Sequence, residues 1–200
     1  MRFFITAIGT DCGKTLVSAI FCEALKAAYW KPVQTGAPPK DSDTVRDLVS
    51  FPIEIFPETH LLSEPVSPHH AAKLEGIEIE LSEFVLPKTE SHLIVEGAGG
   101  LLVPLNNRGD FLIDFAQSHS LEVVLVIRLY LGCINQALLS INELRRRKAN
   151  IKGLVFNGTD TFGAIEIIQS ISQLPVLLHL KEEKEINSEI VIKYSNLLKF

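Results

Sequence analysis

The chain has 200 residues, 46% of them apolar and 22% charged. These are the proportions of a globular protein with room for a substantial core. A net charge of -5 and a pI near 5.7 argue against a general attraction to nucleic acid. No apolar run approaches the length of a bilayer span, and the first residues lack a secretory leader pattern.

The elements are expected in the following order. An apolar strand, Phe3 to Ile8, leads into Gly9-Thr10-Asp11-Cys12-Gly13-Lys14-Thr15. Leu16, Val17, Ile20, Phe21, Ala24, Leu25 and Ala28 then recur at the spacing of one helix face. Gly-Lys-Thr on a strand-to-helix turn is an anion site, because free amides and the helix dipole favour a phosphate there. Lys14 adds charge for the terminal phosphates, and the Thr15 hydroxyl suits Mg²⁺. The usual P-loop has a glycine five residues before Gly-Lys, and this chain has Ile8 there. A plain helix cap is the competing reading.

The second strand is Ala28 to Lys31, ended by Pro32. Val33 to Pro39 reads as loop, Asp41-Ser42-Asp43 as a helix start before Val45, Leu48 and Val49, and Ile53 to Phe56 as a strand. Ser67-Pro68 opens a short helix to Leu74, Ile77 to Ile79 is extended or loop, and Ser82 to Leu86 is a short helix. Strands follow at His92 to Glu96, Val123 to Ile127, Gly153 to Phe156 and Val176 to Leu178. Helical patterns lie around Phe111 to Ala116, Ile134 to Leu144, Ala164 to Ile171 and Ile186 to Leu198. The alternation predicts a single α/β domain over residues 1–200, P-loop NTPase-like, with a mainly parallel sheet and helices on both faces.

Ligands of open parallel sheets bind outside the carboxyl ends of the strands. Those ends carry Gly13-Lys14-Thr15, Lys31, Glu96 with its glycine turn, and Asn157. Each has a bland alternative. Lys31 reads equally as an exposed lysine, Glu96 as a surface carboxylate, Asp41 or Asp43 as helix caps, and Asn157 as a turn former. The functional readings are a carboxylate near Mg²⁺ for Glu96 and an amide facing adenine for Asn157. His69-His70 reads as a helix start, since adjacent residues point to different faces. Cys12, Cys22 and Cys133 show neither a disulfide framework nor metal-ligand spacing, so a reducing, cytoplasmic setting is expected.

One set of motifs goes further. Gly13-Lys14-Thr15, Lys31-Pro32-Val33-Gln34-Thr35-Gly36, Ser42-Asp43 and Ser67-Pro68-His69 occur in this order. Val95-Glu96-Gly97-Ala98-Gly99-Gly100, Val103-Pro104-Leu105 and Leu131-Gly132-Cys133-Ile134-Asn135 follow. Jointly they resemble the dethiobiotin synthetases over about the first four-fifths of the chain. That family commonly reads Gly-Thr-Asp-Thr-Glu-Val-Gly-Lys-Thr at the phosphate loop. Here Thr10 matches the family threonine, Asp11 stands for the glutamate and Ala7 for the first glycine.

The resemblance implies a cytoplasmic, homodimeric ligase that uses ATP, Mg²⁺ and CO₂. It carboxylates 7,8-diaminopelargonic acid and closes dethiobiotin's cyclic urea, releasing ADP and phosphate. It implies that Lys31 holds the carbamate, that Lys14 steadies the phosphates, and that Thr10 and Thr35 face substrate. Thr15, Asp43 and Glu96 are the implied Mg²⁺ ligands. The amides of Asp11, Cys12, Gly13, Lys14, Thr15 and Leu16 wrap the phosphates, and Glu96, Gly97, Ala98 and Gly99 line the site. Asn157 contacts adenine, and the turn from Leu131 to Asn135 takes the substrate carboxylate near the subunit boundary. Where the family has a Gly-Glu-Ile-Pro-like turn near the base, this chain has Leu178 to Glu183. The rival class is a partitioning-type ATPase switch, which usually carries an extra lysine early in the phosphate loop. Ala7 to Cys12 contains none.

Overall fold

The computed structural model describes residues 1–199. Its strands are β1 (Arg2–Ala7), β2 (Ala28–Trp30), β3 (Val33–Thr35), β4 (Ile55–Phe56), β5 (His60–Leu62), β6 (Leu93–Glu96), β7 (Glu122–Arg128), β8 (Ile151–Asn157) and β9 (Val176–Leu180). Its α-helices are α1 (Lys14–Leu25), α2 (Asp41–Leu48), α3 (Pro68–Leu74), α4 (Leu112–Ser118), α5 (Cys133–Arg146), α6 (Ala164–Ser172) and α7 (Ser188–Ser195). The segment expected as a short helix near Ser82 is one 3₁₀ turn, Leu81–Glu83.

Seven strands form one sheet in the order β4-β2-β6-β1-β7-β8-β9, and every pairing in it is parallel. β1 lies between β6 and β7, so the chain leaves it toward one edge and later builds toward the other. That reversal opens a crevice at the carboxyl end of β1.

Strand alternation divides the core. Phe3, Ile5, Tyr29, Ile94, Val124 and Val155 face one layer, where they pack with Val17, Ile20 and Phe21 of α1 and with Val191 and Tyr194 of α7. Phe4, Trp30, Val95, Leu125 and Phe156 face the opposite layer, with residues of α3, α4, α5 and α6. These strands are buried on both faces, as parallel strands are. The register sets Tyr29 beside Ile94 and Ile5 beside Glu96. Side chains alternate faces along a strand. Glu96, two residues beyond Ile94, and Lys31, two beyond Tyr29, therefore come up on the α1 side.

Val33 to Pro39 is not loop throughout. Val33–Thr35 pairs in parallel with His60–Leu62 as a separate two-stranded sheet. Strands of three residues carry no usable periodicity, and the paired residues lie 27 positions apart in the chain, so local pattern does not register it. Buried Gln34 then ties the segment to α2. Its Oε1 accepts from the Asp41 amide at 3.0 Å, and its Nε2 donates to the Thr35 carbonyl at 2.9 Å.

Candidate active site

The turn after β1 is held from outside. Arg128 of β7 donates to the Asp11 carbonyl at 3.1 Å, and Asn157 Nδ2 at the end of β8 donates to the Cys12 carbonyl at 2.9 Å. In a trans peptide the C=O and N–H point in opposite directions. The next amides are therefore turned away from these two anchors. Gly13 is left-handed, with φ 91°, and a Cβ there would stand 2.4 Å from Asn157 Nδ2. Only glycine fits this position without displacing the anchor. The first helical hydrogen bond of α1 runs from Val17 N to Gly13 O. The amides of Lys14, Thr15 and Leu16 thus lack intrahelical partners and form the anion-binding end of the helix. On the far side Gly100 meets the loop closely, with its would-be Cβ 3.2 Å from Gly9 Cα.

This turn is one wall of a cavity of about 700 Å³. Lys14, Thr15, Lys31, Thr35, Asp41, Glu96 and Gly99 are among its lining residues. At its base Glu96 is fully buried. Its Oε1 accepts from Thr15 Oγ1 and from Lys31 Nζ, each at 3.0 Å, and its Oε2 accepts from Tyr29 Oη at 2.9 Å. Lys31 Nζ also donates to Asp41 Oδ2.

The site is a compact set of opposed charges. Burial would raise the Glu96 carboxyl, but Lys31 and Lys14 outweigh it and hold the group below the usual carboxylate range. Ser18, also buried, adds to that effect, although its Oγ stops short of a formed hydrogen bond. Burial likewise opposes the charge on Lys31, yet Glu96 and Asp41 raise it above an ordinary lysine. Lys14 goes the other way: burial lowers it, Glu96 restores part of the loss, and Lys31 repels it. Burial next to Glu96 pushes the Tyr29 hydroxyl well up, which keeps it a donor. The two lysines differ because Lys31 has two carboxylates in contact and Lys14 has a phosphate-loop position without them.

Most of the expected site residues converge here. Thr10, Asp11, Gly13, Lys14, Thr15, Lys31, Thr35, Glu96, Ala98 and Gly99 line the cavity. Cys12 is buried, with its thiol directed to the Thr10 carbonyl, and half-buried Leu16 packs against the core on the α1 side of the sheet, so neither offers its side chain. Gly97 is buried against Phe4 and the Ile5 carbonyl.

Three expectations need correction or restriction. Asp43 is not at the cavity: its carboxylate is about half exposed and pairs with Arg46 along α2. Asp41 occupies the expected place, on Lys31 and in the cavity wall. The helical period explains the exchange. Asp41 stands one turn before buried Val45 and shares its face, whereas Asp43 is about 200° away from it. That spacing was readable in the sequence. Asn157 spends one of its two amide N–H groups on the Cys12 carbonyl and so anchors the loop, a part the sequence did not show; its second N–H and its Oδ1 are not engaged by that bond. Leu131 and Asn135 are exposed and lie outside the lining of this cavity. Sequence reasoning also missed Tyr29 and Gln34. Both sit inside short strands, where no local signal separates a functional polar group from core.

A family model described as an AAA domain matches residues 1–189. Among curated proteins, the ATP-dependent dethiobiotin synthetase of Cytophaga hutchinsonii is 49% identical, over 97% of this chain and 95% of the relative. The chain belongs to the dethiobiotin synthetase family. The synthetase of Christiangramia forsetii is 41% identical over 96% of this chain and 93% of its own. That of Rhodopseudomonas palustris is 44% identical over 86% and 83%. Solved structures share the fold at low identity. A ParA family ATPase from Chlorobium tepidum has a TM-score of 0.55 at 13% identity, covering 98% of both chains. The septum site-determining protein MinD of Pyrococcus horikoshii, complexed with Mg-ADP, has 0.56 at 16%, covering 98% of this chain and 95% of its own. These likenesses bear out the P-loop NTPase-like fold.

Proposed function

We propose that this protein is a dethiobiotin synthetase, joining CO₂ to 7,8-diaminopelargonic acid at the expense of ATP in biotin biosynthesis. The observation that carries the reading is the pair of buried lysines at one cavity. Lys14 stands on the phosphate loop, and Lys31, held by Glu96 and Asp41, lines the same cavity. A phosphoryl transfer to a carbamate needs cationic groups at both anions, and preorganised charges of this kind act mainly by positioning and electrostatic stabilisation.

In this reading the phosphates lie on the amides from Cys12 to Leu16, with Lys14 on the terminal phosphates. One amine of the diamine takes CO₂ as a carbamate, which Lys31 orients. A carbamate oxygen attacks the terminal phosphorus and expels ADP, giving a carbamic–phosphoric anhydride. The second amine attacks its carbonyl carbon, phosphate leaves, and the cyclic urea closes. Thr10 and Thr35 line the cavity that both lysines enter.

The donors of Thr15, Glu96 and Asp41 are all oxygens, a hard set that fits Mg²⁺. When bound, Mg²⁺ supplies positive charge to the phosphate oxygens. No group of three or more His, Cys, Asp or Glu side chains is gathered for a metal among the described residues. A site completed by phosphate and water is typical of this ion.

We read the chain as one domain acting as a homodimer. Tyr130 and Leu131 are exposed just before α5, and Leu139 is exposed on α5 with Leu102 in the same hollow; they suit burial against a second copy. That contact would bring Leu131 and Asn135 toward a partner's substrate tail. The three cysteines are free, which suits a reducing cytoplasm. Among the described residues no helix is long and apolar enough to cross a membrane.

The deciding experiment follows labelled bicarbonate into acid-stable product, with MgATP, with and without the diamine. Diamine-dependent incorporation matched by ADP release is expected. ATP hydrolysis indifferent to the diamine would overturn the reading in favour of a switch ATPase.

A further inference from the structure

Tyr29 is fully buried in the middle of β2, among Phe3, Phe21 and Ile94. A phenylalanine would fill that space as well. A phenolic hydroxyl taken into such surroundings is costly unless it is hydrogen-bonded. Its bond goes to Glu96 Oε2 at 2.9 Å. The two oxygens of Glu96 are thereby divided. Oε2 is turned toward the core, and Oε1 meets Thr15 Oγ1 and Lys31 Nζ at the cavity. Buried Ser18 Oγ also acts on the Glu96 carboxyl but stops short of a formed bond, so the formed contact on Oε2 is the tyrosine's.

We propose that Tyr29 is a positioning residue for the cation site: its hydroxyl pins one oxygen of Glu96 so that the other is presented to Mg²⁺–nucleotide. The inference rests on the reading of Thr15, Asp41 and Glu96 as the Mg²⁺ donors. Its physical basis is the last torsion of a glutamate, which is broad and roughly two-fold. Pinning Oε2 removes that freedom before the ligand arrives. The register of β2 against β6 makes the contact possible, since Tyr29 lies opposite Ile94 and Glu96 stands two residues on, on the same face. Outer hydrogen bonds to ligating carboxylates typically govern metal affinity by about 10–100-fold.

The test is calorimetric titration of ADP into the wild type, Tyr29→Phe, Glu96→Gln and the double variant, each with millimolar Mg²⁺ and with chelator. The readout is the ratio of the two dissociation constants, which needs no turnover. Tyr29→Phe is expected to lose about 10–100-fold of the Mg²⁺ enhancement, with ADP affinity in chelator unchanged. Adding Tyr29→Phe to Glu96→Gln is expected to change nothing further.

An unaltered enhancement in Tyr29→Phe would overturn the proposal. So would equal weakening with and without Mg²⁺, the mark of a merely structural tyrosine, or a full additional loss in the double variant. If Tyr29→Phe folds poorly, the double variant, with no charged carboxylate left stranded, still decides against Glu96→Gln alone. A wild type whose ADP affinity ignores Mg²⁺ would also overturn it. Mg²⁺-enhanced ADP binding without diamine-dependent product would sink the ligase reading and leave this one standing.

Discussion

Replacing Lys31 with alanine separates catalysis, binding and stability in one variant. Lys31 is 5% exposed, and its ammonium sits between a fully buried carboxylate, Glu96, and a partly buried one, Asp41. Removing one member of a buried ion pair typically costs about 3–5 kcal/mol, because the other charge is left stranded. Glu96 is not wholly stranded here. Thr15 and Tyr29 still donate to it, and Lys14 remains a nearby positive charge. The lower end, about 3 kcal/mol, therefore applies, which in a domain of this size lowers the melting temperature by roughly 6–12 °C.

Nucleotide binding moves differently. The lost ammonium shares Glu96 Oε1 with the position proposed for the cation, so its removal leaves that position more negative. Affinity for MgATP should stay within about threefold of wild type, equivalent to less than 1 kcal/mol. Product formation should fall by about 10²–10³-fold or more, the usual loss when a stabilising group for a developing anion is removed. The assays are thermal melting with and without ligand, calorimetry with a non-hydrolysable ATP analogue, and labelled bicarbonate incorporation. A variant that loses nucleotide affinity in parallel with activity would make Lys31 a phosphate ligand and refute the division of labour between the lysines. An unchanged melting temperature would refute the charge network.

Asp41→Asn should weaken MgATP-dependent turnover by about 10–100-fold, the range for losing a bond to a charged group, while Asp43→Asn stays close to wild type. Steady-state kinetics over a Mg²⁺ series compares them, and the reverse order would restore Asp43 to the site. Gly13→Ala should cost about 1–3 kcal/mol from the left-handed backbone alone, and its Cβ displaces the Asn157 anchor. Loss of ATP binding in a protein that still melts cooperatively is the expected result, and normal ATP affinity would refute the account of the loop.

Acid should unfold the protein progressively. Arg146 and Arg147 hold Glu143 at about 2, from 4.5, and Lys31 and Lys14 hold Glu96 low against its burial. A carboxyl lowered on folding stabilises fully above its unfolded value, and that contribution is lost as pH falls through the folded one. Stability should therefore be level above about pH 4.5 and decline toward pH 2. Denaturant titrations at stepped pH check this, and Glu143→Gln should flatten part of the slope.

Much of the architecture was legible because parallel strands buried on both faces read as continuous apolar runs, and the helices between them keep a clear period. Val123 to Ile127 and Ile134 to Leu144 are of this kind, and both lie within β7 and α5. Lys31 and Glu96 were legible as strand-end residues for the same reason: the end of an apolar run locates the mouth of the sheet. The β3–β5 pair was not, since its three-residue strands owe their existence to each other and to α3, not to a local pattern. Asp41 was missed through attention to a sequence match where the position of Val45 on the helix face was the better guide.

The sequence by itself determined the doubly wound sheet, the phosphate loop and the family, because each is written in local periodicity or in a run of consecutive residues. Only the tertiary structure decided which aspartate meets Lys31, that Asn157 anchors the phosphate loop, and that Tyr29 braces Glu96. Those contacts join residues 10 to 145 positions apart. They depend on strand register and on the rotation of one helix about its axis, quantities that no short stretch of chain contains.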